Sequence, residues 1–236
     1  MGRGPSIEGR KNAEDARRAK VFTKLIREIT IAARGGADPA GNARLRAGID
    51  KALAANMSKD TIERAVRRGS GADGADNMQE LRYEGYGPSG VALIIDAMTD
   101  NAQRTVADVR HALAKHGGNL GTSGSVAFQF HRLGEIVIDT SEPGSEDRLL
   151  EAALDAGADD VQTEAGKSTV LSSPENFEAV KKALLAAGFQ PLSADVVMRP
   201  ENRVAVSEEV AETLRDLIDW LEELDDVQEV YHNAAL

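Results

Sequence analysis

Apolar side chains recur with a helical period near the start of the chain. Val21, Phe22, Leu25, Ile29 and Ala32 fall on one side when each residue advances about 100°, which predicts a helix over residues 13–34. Arg17, Lys20, Lys24 and Arg27 cluster on the other side, and Gly35-Gly36 supplies the permissive backbone that a helix end favours. A second helix fits residues 42–56, with Leu45, Ile49, Ala52 and Leu53 as its buried face. Ser58 reads as the N-cap of a third helix over 59–68, with Asp60 near its positive end and Ile62, Ala65 and Val66 inside. Three short amphipathic helices with short connections predict a small bundle. The stretch 69–76, small and glycine-rich, reads as a linker.

Beyond it the period changes. Residues 81–86 and 91–98 read as strands joined by a turn at Gly87-Pro88-Ser89-Gly90, 101–116 as a helix, and 125–131 as a strand in which Val126, Phe128 and Phe130 alternate. From Gly134 the order is strand (136–138), helix (146–156), strand (160–163), strand (168–171), helix (174–187), strand (195–198). That is the β-α-β-β-α-β order of ferredoxin-like units. A helix over 207–224 and a strand over 227–231 follow. The expected fold class is therefore α+β: an N-terminal three-helix bundle plus two ferredoxin-like α+β domains, one inserted in the other. The expected boundaries are 1–78 for the bundle with its linker, 79–132 with 201–236 for a discontinuous domain, and 133–200 for the insertion.

Composition narrows the function. Of 236 residues, 42% are hydrophobic and 28% charged, the values of an ordinary globular protein. No apolar run approaches the roughly 20 residues that span a bilayer, and no apolar segment follows the first residues, so a cytoplasmic protein without a secretory signal is expected. Cysteine is absent, which removes disulfides, thiolate metal sites and cysteine nucleophiles together. The formal net charge of −11 hides a partition: residues 1–71 hold 16 Lys+Arg against 8 Asp+Glu, and the remainder 12 against 31. Such asymmetry suggests that one end meets a polyanion while the other stays clear of it.

Catalytic readings fail on spacing. Gly166-Lys167-Ser168 resembles the end of a phosphate-binding loop, but Val161 stands where that motif needs glycine, and a strand follows where it needs a helix. The glycine-rich run containing Gly117, Gly118, Asn119, Gly121, Thr122 and Ser123 follows a helix and precedes a strand, the reverse of the dinucleotide-binding order. It reads as a turn with positive-φ positions and as a candidate partner-contact loop. His111 and His116 stand five apart on one helix, a spacing that does not suit two metal ligands. Asp159-Asp160, Glu222-Glu223 and Asp225-Asp226 read as solvated charges near element ends. No enzyme, no catalytic residue, no metal and no cofactor are expected.

The basic module is different in kind. Arg3, Arg10, Lys11, Arg17, Arg18, Lys20, Lys24 and Arg27 run from the tail along one helix, and Arg44, Arg46 and Lys51 add charge on the second. Arg64, Arg67 and Arg68 stand at i, i+3 and i+4 on the third, so they project together. Phosphate binding rewards such accumulation, because each neutralised phosphate releases condensed counterions. The competing reading is an ordinary charged outer face, with salt bridges from neighbours such as Glu14, Glu28, Asp60 and Glu63. Sparse aromatics weigh against a base-stacking platform for single strands. DNA is the expected partner and ribosomal RNA the alternative; the acidic remainder would suit a basic protein.

The words themselves carry a resemblance. AEDARRAKVFTKLIREITIAAR from Ala13, ARLRAGIDKALAANMSKDTIERAVRRGSG from Ala43, YEGYGPSGVALIIDAMTDN from Tyr83 and RTVADVRHALAKHGGNLGTSGSVAFQF from Arg104 resemble the YebC/PmpR family over essentially the whole chain. The resemblance implies a helical bundle followed by two α+β domains, one inserted in the other. It implies a DNA-binding transcriptional regulator, or, as for relatives such as a mitochondrial translational activator, a factor that works with the ribosome and relieves stalling on proline-rich sequences. Neither role implies catalysis or a cofactor. Many relatives begin with a Gly-His-Ser-Lys-Trp type segment, whereas this chain has Arg3-Gly4-Pro5-Ser6-Ile7 before Arg10-Lys11, so contacts made by that segment do not transfer.

Overall fold

The computed structural model describes residues 7–74 and 76–236, with side chains from residue 13 onward. Three helices open the chain: α1 (Ile7–Ala33), α2 (Ala43–Ala54) and α3 (Lys59–Gly69). Each short helix is capped by the residue before it. The Asn42 side chain accepts from the Leu45 N–H at 3.0 Å, and Ser58 Oγ from the Thr61 N–H at 3.2 Å. Ile29, Ala32, Ala33, Leu45, Ala52, Met57, Ile62 and Ala65 make one apolar core, with Phe22, Leu25, Ile26, Ile49 and Val66 packed at its margin. Two residues expected inside are outside: Val21 is 48% and Leu53 44% exposed. At 1.5 Å per residue α1 runs to about 40 Å and its partners to under about 20 Å. α2 and α3 are therefore too short to cover the whole of α1, and residues 13–19 are exposed throughout. Gly69, expected in the linker, is the last residue of α3 and is buried: a Cβ there would stand 1.9 Å from the Thr30 carbonyl oxygen.

The remaining elements are β1 (Gln79–Tyr86), β2 (Ala92–Thr99), α4 (Ala102–Lys115), β3 (Asn119–Leu120), β4 (Phe130–Asp139), α5 (Ser145–Asp155), β5 (Asp160–Glu164), β6 (Lys167–Ser172), α6 (Phe177–Ala186), β7 (Pro191–Pro200), β8 (Val204–Ala205), α7 (Glu208–Glu223), β9 (Val227–His232) and β10 (Ala234–Ala235). They form sheets of order β3-β1-β2-β9, β5-β6-β4-β7 and β10-β8. The chain divides into two compact units, one of residues 1–90, 95–122 and 207–230, the other of 91–94, 123–206 and 231–236. The architecture is α+β.

In the first unit, α4 and α7 bury Val109, Leu113, Leu214, Leu217 and Leu221 completely. β2 is buried along nearly its whole length, the pattern of a central strand. In the second unit β4-α5-β5-β6-α6-β7 folds with β4 paired antiparallel to both β6 and β7, the strand order of a ferredoxin-like sheet. Ile136, Ile138, Leu149, Ala153, Val170, Phe177, Val180 and Leu184 fill its core.

The strands expected at 125–131 and 136–138 are corrected to a 3₁₀ turn over Ala127–Gln129 and one continuous strand, β4. The turn places Val126 and Phe130 inside and leaves Phe128 72% exposed, so the three do not share a strand face. Gly134 does not break the strand; it is where α6 comes closest. A Cβ on Gly134 would meet Ser172 Oγ at 2.4 Å and the Phe177 ring at 2.8 Å. Gly134→Ala is expected to destabilise this unit by roughly 1–3 kcal/mol, the usual cost of overpacking, and urea unfolding measures it. No helix among the described residues is long and apolar enough to cross a membrane.

Candidate nucleic-acid interface

The outward face of α3 carries three cations held together by helix geometry. The Arg64 guanidinium lies 2.9 Å from Asp60 Oδ2, one turn back, and that of Arg67 2.8 Å from Asp73 Oδ1; all four side chains are largely exposed. Arg68 is exposed and makes no ion pair among the described residues. Exposed pairs of this kind are worth about 0–1 kcal/mol, so a phosphate can displace either carboxylate at little cost. On α1, Arg17 and Arg18 are exposed, and the Arg18 guanidinium lies 5.2 Å from the centroid of the Phe22 ring, an arrangement that stiffens it without neutralising it. Arg3 lies outside the described residues, as do the side chains of Arg10 and Lys11.

Several other cations of the same module are engaged within the protein. Arg44 donates from Nε to Glu28 Oε1 at 2.7 Å and from Nη2 to Glu80 Oε1 at 2.6 Å. Burial works against its charge, but the hydrogen bonds to the two carboxylates prevail and hold the guanidinium above its ordinary range. Arg46 donates to the Pro39 carbonyl at 2.9 Å. Lys51 is exposed on α2, and Lys24 is half-buried on α1. Lys20 pairs with Glu223.

Arg27 is the most deeply committed. Its Nη1 donates to Asp226 Oδ1 at 2.8 Å, the Met98 carbonyl at 2.8 Å and the Asp225 carbonyl at 2.7 Å. Asp226 also accepts from Arg104 Nε at 3.1 Å, Arg104 Nη2 at 3.0 Å and Thr105 Oγ1 at 2.8 Å. Only 5% of Asp226 is exposed, which corrects its reading as a solvated charge. Burial pushes its carboxyl up, yet the hydrogen bonds from Thr105, Arg27 and Arg104 outweigh that and hold it below the ordinary carboxylate range. Arg104 and Asp226 carry no local signal as partners, being 122 positions apart.

The glycine-rich run is half pinned. Gly117 takes φ +72°, the left-handed backbone expected of it. Gly118 approaches so closely that a Cβ would stand 2.2 Å from the Tyr86 carbonyl oxygen. Asn119 and Leu120, expected in a loop, are the edge strand β3, paired with Tyr86 and Gly85, and the Gly121 N–H donates to the Glu84 carbonyl at 2.8 Å. Only Thr122, Ser123 and Gly124 project as an exposed tip. His111 and His116 flank the Trp220 ring edge-on, at centroid distances of 5.9 and 5.4 Å. Among the described residues no group of three or more acidic or histidine side chains is placed to hold a metal ion.

The chain belongs to the TACO1/YebC family. Residues 4–72 match the N-terminal domain of TACO1/YebC proteins, and residues 78–234 match the TACO1/YebC second and third domain. The chain is 56% identical over 237 residues to a probable transcriptional regulatory protein of Xanthomonas campestris pv. campestris (strain B100), covering 99% of this chain and 97% of that protein. It is 55% identical over 239 residues to one of Stenotrophomonas maltophilia (strain K279a), covering 100% and 98%. A conserved hypothetical protein from Aquifex aeolicus, solved by crystallography, is 43% identical and superposes with a TM-score of 0.84 over 94% of this chain and 91% of its own. The relatives' name describes regulation, not catalysis.

Proposed function

We propose that this protein is a non-enzymatic transcriptional regulator that binds duplex DNA through residues 1–71, chiefly by phosphate contacts. The observation that carries the reading is the α3 face, where Arg64, Arg67 and Arg68 point outward with only exposed carboxylates beside them. Arg17 and Arg18, exposed on α1, add positive charge to the same module. The name of the relatives supports regulation as the role. Phosphate contacts position a protein without reading sequence, so this surface supplies affinity more than site choice.

Reversing Arg64, Arg67 and Arg68 to glutamate tests the reading. Each lost phosphate contact lowers the slope of log affinity against log salt by about 0.9 for B-DNA, so the triple variant should lose about 2.7. Circular dichroism should stay unchanged, since none of the three is buried. Unchanged affinity and slope would reject this surface. The same titration against ribosomal RNA separates the two family roles: tighter binding to RNA than to duplex DNA moves the function to translation.

A further inference from the structure

Part of the cationic face of α1 is covered from within the protein. Arg17, Lys20, Lys24 and Arg27 share that face, spaced three or four apart. Against it lies Glu222-Glu223-Leu224-Asp225-Asp226, the acidic run that ends α7 and leads into β9. Lys20 pairs with Glu223 and donates to its carbonyl at 3.3 Å. Gln228 Nε2 donates to the Lys24 carbonyl at 3.0 Å. Arg27 is clasped by the Asp226 carboxylate and the Asp225 and Met98 carbonyls. Two cations in the middle of the predicted phosphate-binding face therefore already hold carboxylates of their own chain, where phosphate oxygens would otherwise stand.

Further polar contacts join bundle and body. Arg34 bonds Asp76 and the Met78 carbonyl, and Arg44 reaches Glu80 from α2. The bundle's own apolar core is made of residues from α1 to α3 and their connections, and Ile31, one turn beyond Arg27, is buried outside that cluster. Ion pairs and hydrogen bonds are what water, salt and phosphate can exchange; a shared apolar core is not. We propose that the 222–226 segment is an autoinhibitory mask: it occupies Lys20 and Arg27 as an internal substitute for phosphate, and release of the bundle hands both cations to the nucleic acid. The inference rests on the DNA-binding reading above and adds a regulation to it.

In the closed state the contacts made by Lys20 and Arg27 are absent from the salt dependence of binding; in the open state they appear. The test is a salt titration of DNA binding with the full chain, using a short duplex of mixed sequence. Glu223→Gln removes an exposed carboxylate without touching any core, and should steepen the slope by up to about 0.9 as Lys20 becomes available. Asp226→Asn should add a comparable increment from Arg27, with increased protease cleavage between residues 70 and 78 as the bundle detaches. Should Asp226→Asn fail to fold, Glu223→Gln decides alone. Slopes and affinities at or below the unaltered protein's would overturn the mask. The two readings fail separately. If the α3 reversal weakens binding while neither masking variant strengthens it, the mask is wrong and the surface stands. If the masking variants steepen the slope while the α3 reversal is silent, the mask stands and the α3 surface is wrong. Absence of DNA binding by every protein overturns both.

Discussion

Gly69→Ala is expected to destabilise the N-terminal bundle selectively while the ferredoxin-like sheet of β4 to β7 keeps its stability. The added Cβ would lie 1.9 Å from the Thr30 carbonyl oxygen, 2.7 Å from its carbon and 2.9 Å from the Ala33 methyl. None of these atoms can rotate aside, because two are helix backbone and the third hangs directly from it. α3 has to retreat from α1, and the retreat opens the contact among Ile29, Ala32, Ile62 and Ala65 that makes the bundle one core. Alanine's better helix propensity returns at most about 1 kcal/mol. Overpacking with loss of core contact costs more, so the net loss should be about 2–4 kcal/mol. For a module of this size that lowers the melting temperature by about 8 °C or more. Differential scanning calorimetry should show an early transition split from a late one, and an unchanged single transition would refute the packing argument. Gly69→Ser should behave alike, since the obstacle is the Cβ itself.

That glycine marks where sequence patterning stops being informative. A helix buried on one side repeats its apolar residues every three or four positions, so α2, α3 and the second half of α1 are legible, as are the alternating elements of the β4 to β7 unit. A buried glycine at a helix end and a linker glycine look the same in sequence, because what tells them apart is a neighbouring backbone 39 positions away. The alternation Val126-Phe128-Phe130 fits a strand and a 3₁₀ turn equally, and packing of Val126 and Phe130 with an outward Phe128 decides between them. The limit is sharper for charge. The i, i+3, i+4 spacing of Arg64, Arg67 and Arg68 is local and survives in the structure as one exposed face. The equally regular Lys20, Lys24 and Arg27 spacing foretells one face but not what stands against it, since Glu223 and Asp226 lie about 200 positions later. Segment charge balance thus overstates the cations a partner can reach.

Asp226→Ala should be the most damaging substitution of a charged residue in the described part of the chain. It strips the shared carboxylate from Arg27 and Arg104 and leaves Thr105 Oγ1 without its acceptor on α7–β9. Removing one partner of a buried pair costs about 3–5 kcal/mol, mostly because the other charge is stranded. Arg104 is nearly half-exposed and can turn to Asp100, which already accepts from it at 2.9 Å, so about 2–3 kcal/mol is expected. Replacing Arg27 by methionine in the same chain should recover part of the loss, which a double-mutant cycle measures. The acid dependence has a definite sign. Burial raises the Asp226 carboxyl, but its hydrogen bonds to Thr105, Arg27 and Arg104 leave it below the unfolded value near about 3.9. A depressed folded-state pKa contributes stability that is complete above the unfolded value and fades as pH falls through the folded one. The gap in unfolding free energy between the native chain and Asp226→Ala should therefore be constant from neutral pH down to about pH 5 and narrow below about pH 4. A gap that widened in acid would mean that the carboxyl is held neutral at the seam, and Arg27 would then be anchored by the Met98 and Asp225 carbonyls alone.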